Sequence, residues 1–412
     1  MGFMAFDSFS RPGLTGIRAL AALLVVGHHL NAIVGPRMMF VDLPFSRVEV
    51  THLLTIGWVG VNVFFVLSAF LLTVHLLQRL RRAPMKEILG PYLLARVLRV
   101  VPAYWVQIAI LFALAWVTLG TPPEWARYIP AHLVFLQNLS YPAHSAINGV
   151  YWSLPVEFFF YLLLPVVIAF VSSRMANGLS PRRLVMRACV VAVAAVVIMI
   201  GWRYLAFTLT HARGIPVLFW ATVQLPGLAD QFGLGVLAGC LFVALGAPDS
   251  GRSLRWSIAA DVLTVVGLAG LAGTMYLMHY AFNDYWSGKP LFYFWNIVAS
   301  TFVALCVFGA AVGGRITRLA FESRVAIFIG TVSYGMYLWH FPVAAFIAQR
   351  LDMHGMGLGM FAVWTMPAII AVSAASYYLV EKPFFNLRRR RMPQASAPIP
   401  SDACEAGPRS PP

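Results

Sequence analysis

The chain has 412 residues, of which 60% are hydrophobic and only 11% are charged. Ordinary soluble domains carry about a quarter charged residues, so the composition excludes a water-soluble globular fold. Lys and Arg outnumber Asp and Glu by 30 to 15. These basic residues lie mostly in short segments between apolar runs. They do not form a basic face interleaved with stacking aromatics, so we expect no nucleic-acid partner.

Apolar runs recur along the whole chain. A helix needs about 20 apolar residues to cross a bilayer core about 30 Å thick, and clusters of Arg, Pro and Gly separate runs of this length. The sequence therefore predicts an all-α integral membrane protein, a bundle of about ten transmembrane helices in the lipid bilayer. The predicted spans lie near residues 14–34, 55–78, 97–119, 149–171, 184–207, 224–246, 257–279, 291–312, 325–349 and 358–380.

The segments between the spans alternate between rich and poor in basic residues. When the N-terminus is placed in the cytoplasm, most of the 30 Lys and Arg residues fall in cytoplasmic segments, as the positive-inside rule requires. Ten spans then place both termini in the cytoplasm. We predict a membrane domain over residues 1–384. Residues 385–412 are predicted to form a basic stretch and then a Pro- and Ser-rich disordered cytoplasmic tail.

The first span carries two ionisable side chains, which are candidate functional groups because charge inside hydrocarbon is costly. Arg18 and His29 are eleven residues apart. At about 100° per residue they project from the same face, about 16 Å apart along the axis. Arg18 suits a phosphate or a backbone carbonyl, and His29 suits proton transfer. The alternatives stay open: Arg18 as an interfacial anchor and His29 as a hydrogen bond between helices.

A pair of arginines opens the third predicted span. Arg96 and Arg99 occupy neighbouring positions on one helix face and precede Pro102. Two guanidinium groups there could clamp a diphosphate or an adenylate group. They could equally serve only to fix the topology, and the spacing does not decide between these interpretations.

Few other polar groups lie within the spans. Glu157 lies near the start of the fourth span, and His340 lies at a depth similar to that of His29. Two histidines and a carboxylate around one outer cavity would supply a general base and its supporting groups, although spacing alone does not show that they meet. The alternative for Glu157 is an interfacial carboxylate paired with an arginine. The aromatic segment 120–148 is expected to be re-entrant or to cap such a cavity.

Six stretches follow one another along the chain. They are residues 14–23 followed by His29; residues 60–71; Arg96 and Arg99; Trp152-Ser153-Leu154 followed by Glu157 and Tyr161; Tyr337-Leu338-Trp339-His340; and Glu381-Lys382-Pro383. In this order they resemble the landmarks of acyltransferase family 3, a family of polytopic membrane acyltransferases, over nearly the whole chain. The chain departs from the family pattern at Thr15, Asn62, Ala69 and Phe158.

The resemblance implies a membrane-embedded O-acyltransferase of the bacterial inner membrane that uses no metal. Such an enzyme would move an acyl group, commonly acetyl, from acyl-CoA to an acceptor hydroxyl. The donor would approach from the cytoplasm. The acceptors implied by the family are carbohydrates and other cell-envelope or secreted compounds. The resemblance leaves the acceptor, the acyl chain and the oligomeric state open.

The resemblance also implies roles for the polar residues of the spans. His29 is the expected base that takes the hydroxyl proton, or alternatively the acyl carrier. Glu157 would orient the base or the acceptor. The donor phosphates, or the charge of the transition state, are expected to be held by three arginines, Arg18, Arg96 and Arg99. The further candidate site residues are Trp152, Ser153 and His340.

A secondary transporter or exporter is the alternative from another functional class. In that protein the same intramembrane His, Glu and Arg side chains would form a proton relay. Transporters often show paired broken spans in the two halves of the sequence. The chain shows no such internal repeat, so its sequence favours the enzyme.

Overall fold

The computed structural model is a bundle of α-helices with one small β-hairpin. It describes residues 11–35, 39–43, 46–172, 180–246, 248–249, 253–350 and 357–391. Most of the predicted tail lies outside the described residues, so the division of the chain at residue 384 stays a prediction. The described part of that segment, up to residue 391, is helical.

The chain alternates long helices with short ones. In order, the α-helices are α1 (Pro12–Val34), α2 (Thr51–Thr55), α3 (Gly60–Leu80), α4 (Met85–Leu119), α5 (Ile129–Leu133), α6 (Ser153–Ser172), α7 (Pro181–Thr210), α8 (Ile215–Thr222), α9 (Ala229–Ala244), α10 (Leu254–Tyr280), α11 (Phe282–Trp286), α12 (Pro290–Val312), α13 (Arg315–Phe321), α14 (Arg324–Thr331), α15 (Ser333–Arg350), α16 (Leu358–Ser376) and α17 (Lys382–Arg391). A π-helical turn, Tyr377–Glu381, joins the last two.

Nine helical segments of the described chain are long and apolar enough to cross a bilayer. They are Pro12–Val34, Gly57–Leu80, Met85–Leu119, Ser153–Ser172, Pro181–Arg213, Leu225–Ala244, Leu254–Tyr280, Pro290–Val312 and Leu358–Leu387. Lipid offers no hydrogen-bond partners to the backbone, so helices, which bond internally, suit this environment. The predicted all-α, multi-pass membrane fold is confirmed. The structure does not address the predicted cytoplasmic position of the termini.

The third predicted span differs from the structure at its start. It was expected near residue 97, but α4 begins at Met85 and continues through Pro91. The charged residues Lys86 and Glu87 lie in its first turn. A search for apolar runs misses such a turn because its helical continuity does not depend on hydropathy.

The predicted span 325–349 consists of two helices. The break lies at Val332, between α14 and α15. The Ser333 hydroxyl donates to the carbonyl of Gly330 at 2.9 Å. Neither helix alone meets the length and hydropathy of a span, which explains why nine such segments appear where about ten were predicted.

The centre of the bundle is α3, which packs against α1, α6, α9 and α12. In its span 83% of the residues are buried, more than in the other eight. Two glycines allow α1 to pack closely against α13 and α14. A Cβ on Gly16 would lie 2.0 Å from the carbonyl oxygen of Phe321, and one on Gly330 would lie 1.9 Å from that of Thr15. Only glycine permits these approaches.

Prolines inside two helices free a backbone carbonyl, and α4 supplies a donor to each. Pro165 has no N–H for the carbonyl of Tyr161, which instead accepts from the Tyr92 hydroxyl at 3.1 Å. Pro342 likewise frees the carbonyl of Leu338, which accepts from the Gln107 side chain at 2.6 Å. These side-chain bonds fix how α6 and α15 lie against α4.

The bundle has two distinguishable ends. We call the end where α1 begins and α3 finishes the N-terminal end. At the opposite, hairpin end, strands β1 (Phe40–Leu43) and β2 (Ser46–Glu49) pair antiparallel. Tyr280 donates to Glu49 at 2.9 Å, which ties the hairpin to α10.

Candidate active site

Two adjoining cavities run through the bundle between α1, α3, α4 and α6. The arginine cavity, about 40 Å³, is lined by Arg18, Ser68, Leu71, Leu72, His75, Arg96, Arg99 and Tyr161. The central cavity, about 60 Å³, also reaches α15; its polar lining comprises Arg18, Ser68, Arg99, Ser153, Glu157, Tyr161, Ser333, Tyr334 and Tyr337. Four residues line both cavities, namely Arg18, Ser68, Arg99 and Tyr161, so the two adjoin.

The structure brings the three predicted arginines together. Arg18 and Arg99 line both cavities, and Arg96 lines the arginine cavity. The Arg96 guanidinium lies over the Tyr161 ring, 5.9 Å from its centroid. Its buried Nε has no hydrogen-bond partner among the described residues. Three guanidinium groups at one cavity favour an anionic ligand, and their planar forks match phosphate oxygens.

Glu157 lies in the central cavity on the first turns of α6. The Ser68 hydroxyl donates to its Oε1 at 2.6 Å. Glu157 therefore supplies a half-buried acceptor on the cavity wall. The alternative interpretation, a carboxylate paired with an arginine, stays a prediction.

Ser153 and Tyr337 close the central cavity toward the hairpin end. The Tyr337 hydroxyl lies 2.7 Å from the carbonyl of Val150 and 2.5 Å from the Ser153 hydroxyl. A carbonyl only accepts, so Tyr337 donates to Val150 and accepts from Ser153. Trp152 does not line the cavities. Its indole packs edge-on against Phe65.

His29 and His340 meet on the hairpin side of Tyr337. His29 Nδ1 and His340 Nε2 are 3.2 Å apart, and the ring centroids are 4.9 Å apart. His340 is fully buried, whereas His29 is half-buried. Neither ring lines the two cavities. The structure thus brings together two histidines whose contact their spacing in the sequence did not show, and the hydrogen bond found for Glu157 goes to Ser68 and not to either ring.

Tyr337 of α15 lies between the central cavity and the histidine pair. Tyr334, Tyr337 and His340 follow at three-residue spacing, so each side chain neighbours the next on the helix surface. The rise from Tyr334 to His340 is about 9 Å. Tyr334 and Tyr337 line the central cavity, and the Tyr337 ring lies 6.0 Å from the His340 ring. On α1, Arg18 lines both cavities and His29 belongs to the histidine pair.

The segment between α4 and α6 holds α15 in place. Gln107 of α4 donates to the carbonyl of Leu338 at 2.6 Å, and Asn148 donates to the same oxygen at 3.2 Å. Tyr151 donates to the Gln107 side chain at 2.7 Å. The Leu338 carbonyl is the one that Pro342 leaves without an amide partner. The aromatic segment thus contacts the helix that carries His340.

Two histidines of this segment have a structural environment. His132 and His144 lie within hydrogen-bond distance of the carbonyls of Tyr128 and Tyr141, at 3.0 and 2.9 Å. Burial lowers the pKa of both imidazoles, so both are neutral at pH 7. Neither lies on the cavity walls.

Sequence reasoning missed several polar residues of the site. Ser68 and His75 line the arginine cavity. They are two turns apart on a mostly apolar helix, a signal that could have found them. Glu381 is 3% exposed in the π-helical turn, and its Oε1 has no partner within the described chain. The turn packs against α4, and Arg99 is the cation that acts on this carboxylate.

The arrangement offers no evident metal site, since no group of three or more His, Cys, Asp and Glu side chains that could hold a metal occurs in the part of the chain that the structure describes. It offers instead a cavity lined by three arginines and, beyond Tyr337, a pair of histidines in contact. This combination suits transfer of a group carried by a phosphate-bearing donor.

Comparisons with known proteins agree with this chemistry. A family model described as an acyltransferase domain, that of acyltransferase family 3, matches residues 11–381. The chain is 27% identical over 410 residues to acyltransferase MdmB of Streptomyces mycarofaciens, which covers 95% of each protein. No solved structure matches the chain.

Two further relatives are longer proteins. O-acetyltransferase OatA of Staphylococcus aureus is 26% identical over 353 residues, 82% of this chain and 51% of OatA. Peptidoglycan O-acetyltransferase OatA of Listeria monocytogenes is 24% identical over 402 residues, 90% of this chain and 55% of that protein. The chain thus spans about half the length of these OatA proteins. The match over residues 11–381 confirms the resemblance found in the sequence: the chain belongs to acyltransferase family 3.

Proposed function

We propose that this protein transfers an acetyl group from acetyl-CoA to a hydroxyl of a cell-envelope carbohydrate in the bacterial inner membrane. The observation that carries the proposal is that three arginines line the cavities on one side of Tyr337 and the histidine pair of His29 and His340 lies on its other side. The proposed route runs from these arginines past Tyr337 to His29. Arginines alone would suit many anions, and a histidine alone would suit many reactions. Their arrangement in an acyltransferase-family bundle supports an acyl donor that carries phosphates.

The donor is held at the N-terminal end in this proposal. Coenzyme A carries phosphate groups at one end and the acyl thioester at the other. Arg18, Arg96 and Arg99 bind the phosphates through charge-assisted hydrogen bonds. The thioester arm extends along the central cavity, past Tyr337, to the histidines. With the predicted topology, the phosphate end faces the cytoplasm.

His29 is the catalytic base in this proposal. Its Nε2 takes the proton of the acceptor hydroxyl as that oxygen attacks the thioester carbonyl. The carbon–sulfur bond breaks, and the sulfur leaves with the proton that His29 returns to it. The products are an ester and free coenzyme A. General-base catalysis of this kind contributes about 10² to 10⁴ fold.

A carbohydrate acceptor is the choice that the relatives favour. Two OatA relatives are named O-acetyltransferases, and one name specifies peptidoglycan. His29 is half-buried, and it lies eleven residues further along α1 than Arg18, toward the hairpin end. An acceptor hydroxyl therefore reaches the base from the end opposite the arginines.

Transfer of labelled acetyl tests this proposal. Membranes that contain wild-type protein or His29→Ala receive acetyl-labelled acetyl-CoA, and the polysaccharide, lipid and small-molecule fractions are counted. We expect label in the polysaccharide fraction with the wild type only. Label confined to small molecules would overturn the acceptor, equal labelling by His29→Ala would overturn the base, and no transfer with any acyl-CoA would overturn the reaction.

A further inference from the structure

The hydrogen bonds around His29 and His340 define where their protons lie. His340 Nδ1 lies 2.9 Å from the carbonyl oxygen of Met336. A carbonyl oxygen only accepts, so this nitrogen carries the proton. In the neutral ring the other nitrogen, Nε2, is then an acceptor. His340 thus presents a lone pair toward His29.

The same argument applies to His29. Its Nδ1 lies 2.9 Å from the carbonyl oxygen of Val25 and 3.2 Å from His340 Nε2. Both neighbours are acceptors, so the Nδ1 proton is shared between them. His29 Nε2 consequently holds the lone pair. No hydrogen bond to this nitrogen is found from any residue that the structure describes.

From this geometry we infer that His340 is a positioning residue for acyl transfer: its Nε2 accepts the Nδ1 proton of His29, fixes the tautomer that exposes His29 Nε2 and stabilises the imidazolium formed when Nε2 takes the acceptor proton. The inference rests on the proposed role of His29 as the base. It adds a partner that the proposed function does not require.

A neutral histidine suits this role in a membrane. A buried carboxylate partner would place an anion in the hydrocarbon interior before the reaction starts, and such a charge is costly. A neutral imidazole accepts the same proton without that charge. The other titratable side chains that face the pair are His28, whose ring lies 5.0 Å from that of His29, and Tyr337.

Hydrogen bonds from two other segments fix the turn of α15 that carries His340. Pro342 removes the amide that would bond Leu338, and Gln107 and Asn148 donate to that carbonyl instead. His340 lies between these two positions on α15. The kinked turn is therefore clamped from α4 and from the segment before α6, which holds the ring against His29.

Steady-state kinetics of purified His340→Leu and His340→Gln test the inference. We expect His340→Leu to lower kcat by about 10 to 100 fold, the usual effect of losing a group that orients a functional histidine, with an unchanged KM for acetyl-CoA. Gln offers a carbonyl acceptor of similar reach, so His340→Gln should recover part of that loss. His132→Leu is the matched control, since His132 is also fully buried beside a carbonyl four residues earlier, and it should retain the wild-type kcat.

Three results would overturn the inference: a wild-type kcat in His340→Leu, equal losses in His340→Leu and His340→Gln, or the same loss in His132→Leu. Monodisperse elution of each variant verifies folding. If His340→Leu does not fold, His340→Gln decides alone, because the inference requires it to keep the wild-type KM and a reduced but measurable kcat. Failure of the proposed function is distinct, since the wild type itself would then transfer no acetyl group.

Discussion

The arginine cavity and the histidine pair lie at different depths of one bundle and differ in chemistry. Three arginines line the arginine cavity, which adjoins the central cavity. The pair has no formal charge in its assigned tautomers and is held by backbone carbonyls at 2.9 Å on each ring. Donor recognition needs charge and room, whereas proton transfer needs one fixed lone pair. The difference predicts that substitutions in the two regions change different kinetic constants.

The largest effect should come from removing the base. His29→Ala should lower kcat by about 10² to 10⁴ fold, because no other group in the route would take the acceptor proton. Acetyl transfer by the purified variant measures this loss. His28→Ala is the matched control, since His28 is a neighbouring half-buried histidine whose Nδ1 contacts the carbonyl of Leu54 instead. An equal loss of kcat in His29→Ala and His28→Ala would contradict the assignment of His29 as the base.

Removal of one arginine should change KM and leave kcat nearly unchanged. Arg99→Ala should raise the KM for acetyl-CoA by about 10 to 100 fold, which corresponds to a lost charged hydrogen bond of about 1.5–3 kcal/mol. The kcat should change little. Exposed Arg127, which lies outside both cavities, provides the control Arg127→Ala. A fall in kcat at unchanged KM in Arg99→Ala would place this arginine with the histidines.

Glu157 tests the space between the two regions. Glu157→Gln keeps an acceptor for the Ser68 hydroxyl but removes the charge. We expect kcat/KM to fall by about tenfold, since a charge-assisted bond is roughly twice as strong as a neutral one. The variant is assayed with saturating and limiting acetyl-CoA. No change in either condition would show that the carboxylate charge is irrelevant to the route.

The helix kink gives a smaller effect on the rate. Gln107→Leu removes one donor to Leu338 and should cost about 1–3 kcal/mol of stability, with only a few-fold lower kcat. In a Pro342→Ala background residue 342 regains an amide that can bond Leu338, so Gln107→Leu should cost less there. Thermal unfolding of the four proteins measures both costs. An equal loss of stability from Gln107→Leu in both backgrounds would show that the Gln107 bond does not replace the amide that Pro342 lacks.

The smallest effect concerns the hairpin end. The Tyr280 hydroxyl lowers the pKa of exposed Glu49 below its ordinary value of 4.5. The depressed pKa stabilises the fold above pH 4.5, and this contribution disappears as the pH falls through the lower folded value. Glu49→Gln should therefore melt slightly below the wild type at pH 7, by a difference that shrinks as the pH falls below 4.5, with unchanged acetyl transfer. A melting difference that grows on acidification would reverse the sign.

Much of the fold followed from the sequence because apolar length in a membrane leaves helices as the available structure. The predicted spans 14–34 and 291–312 nearly coincide with α1 and α12. The break at Val332 was missed because a run of apolar and aromatic residues does not reveal where the backbone changes direction. That break depends on contacts with α1 and α4 that are distant in sequence.

The site was less accessible to sequence reasoning than the fold. The eleven-residue spacing placed Arg18 and His29 on one face, and in the structure Arg18 lines the cavities while His29 contacts His340. Helical periodicity could not show that His340 meets His29, because that contact joins residues 311 positions apart. It also could not separate the cavity from the histidines, since Tyr337 lies between them only in three dimensions.

Binding of acetyl-CoA to purified variants tests the separation of the two regions most directly. Calorimetric titration of His29→Ala should give a Kd close to the wild-type value even though its kcat is about 10² to 10⁴ fold lower. Titration of Arg99→Ala should give a Kd about 10 to 100 fold weaker. Loss of binding in His29→Ala, or wild-type binding in Arg99→Ala, would contradict a donor site at the arginines and a catalytic base at the histidines.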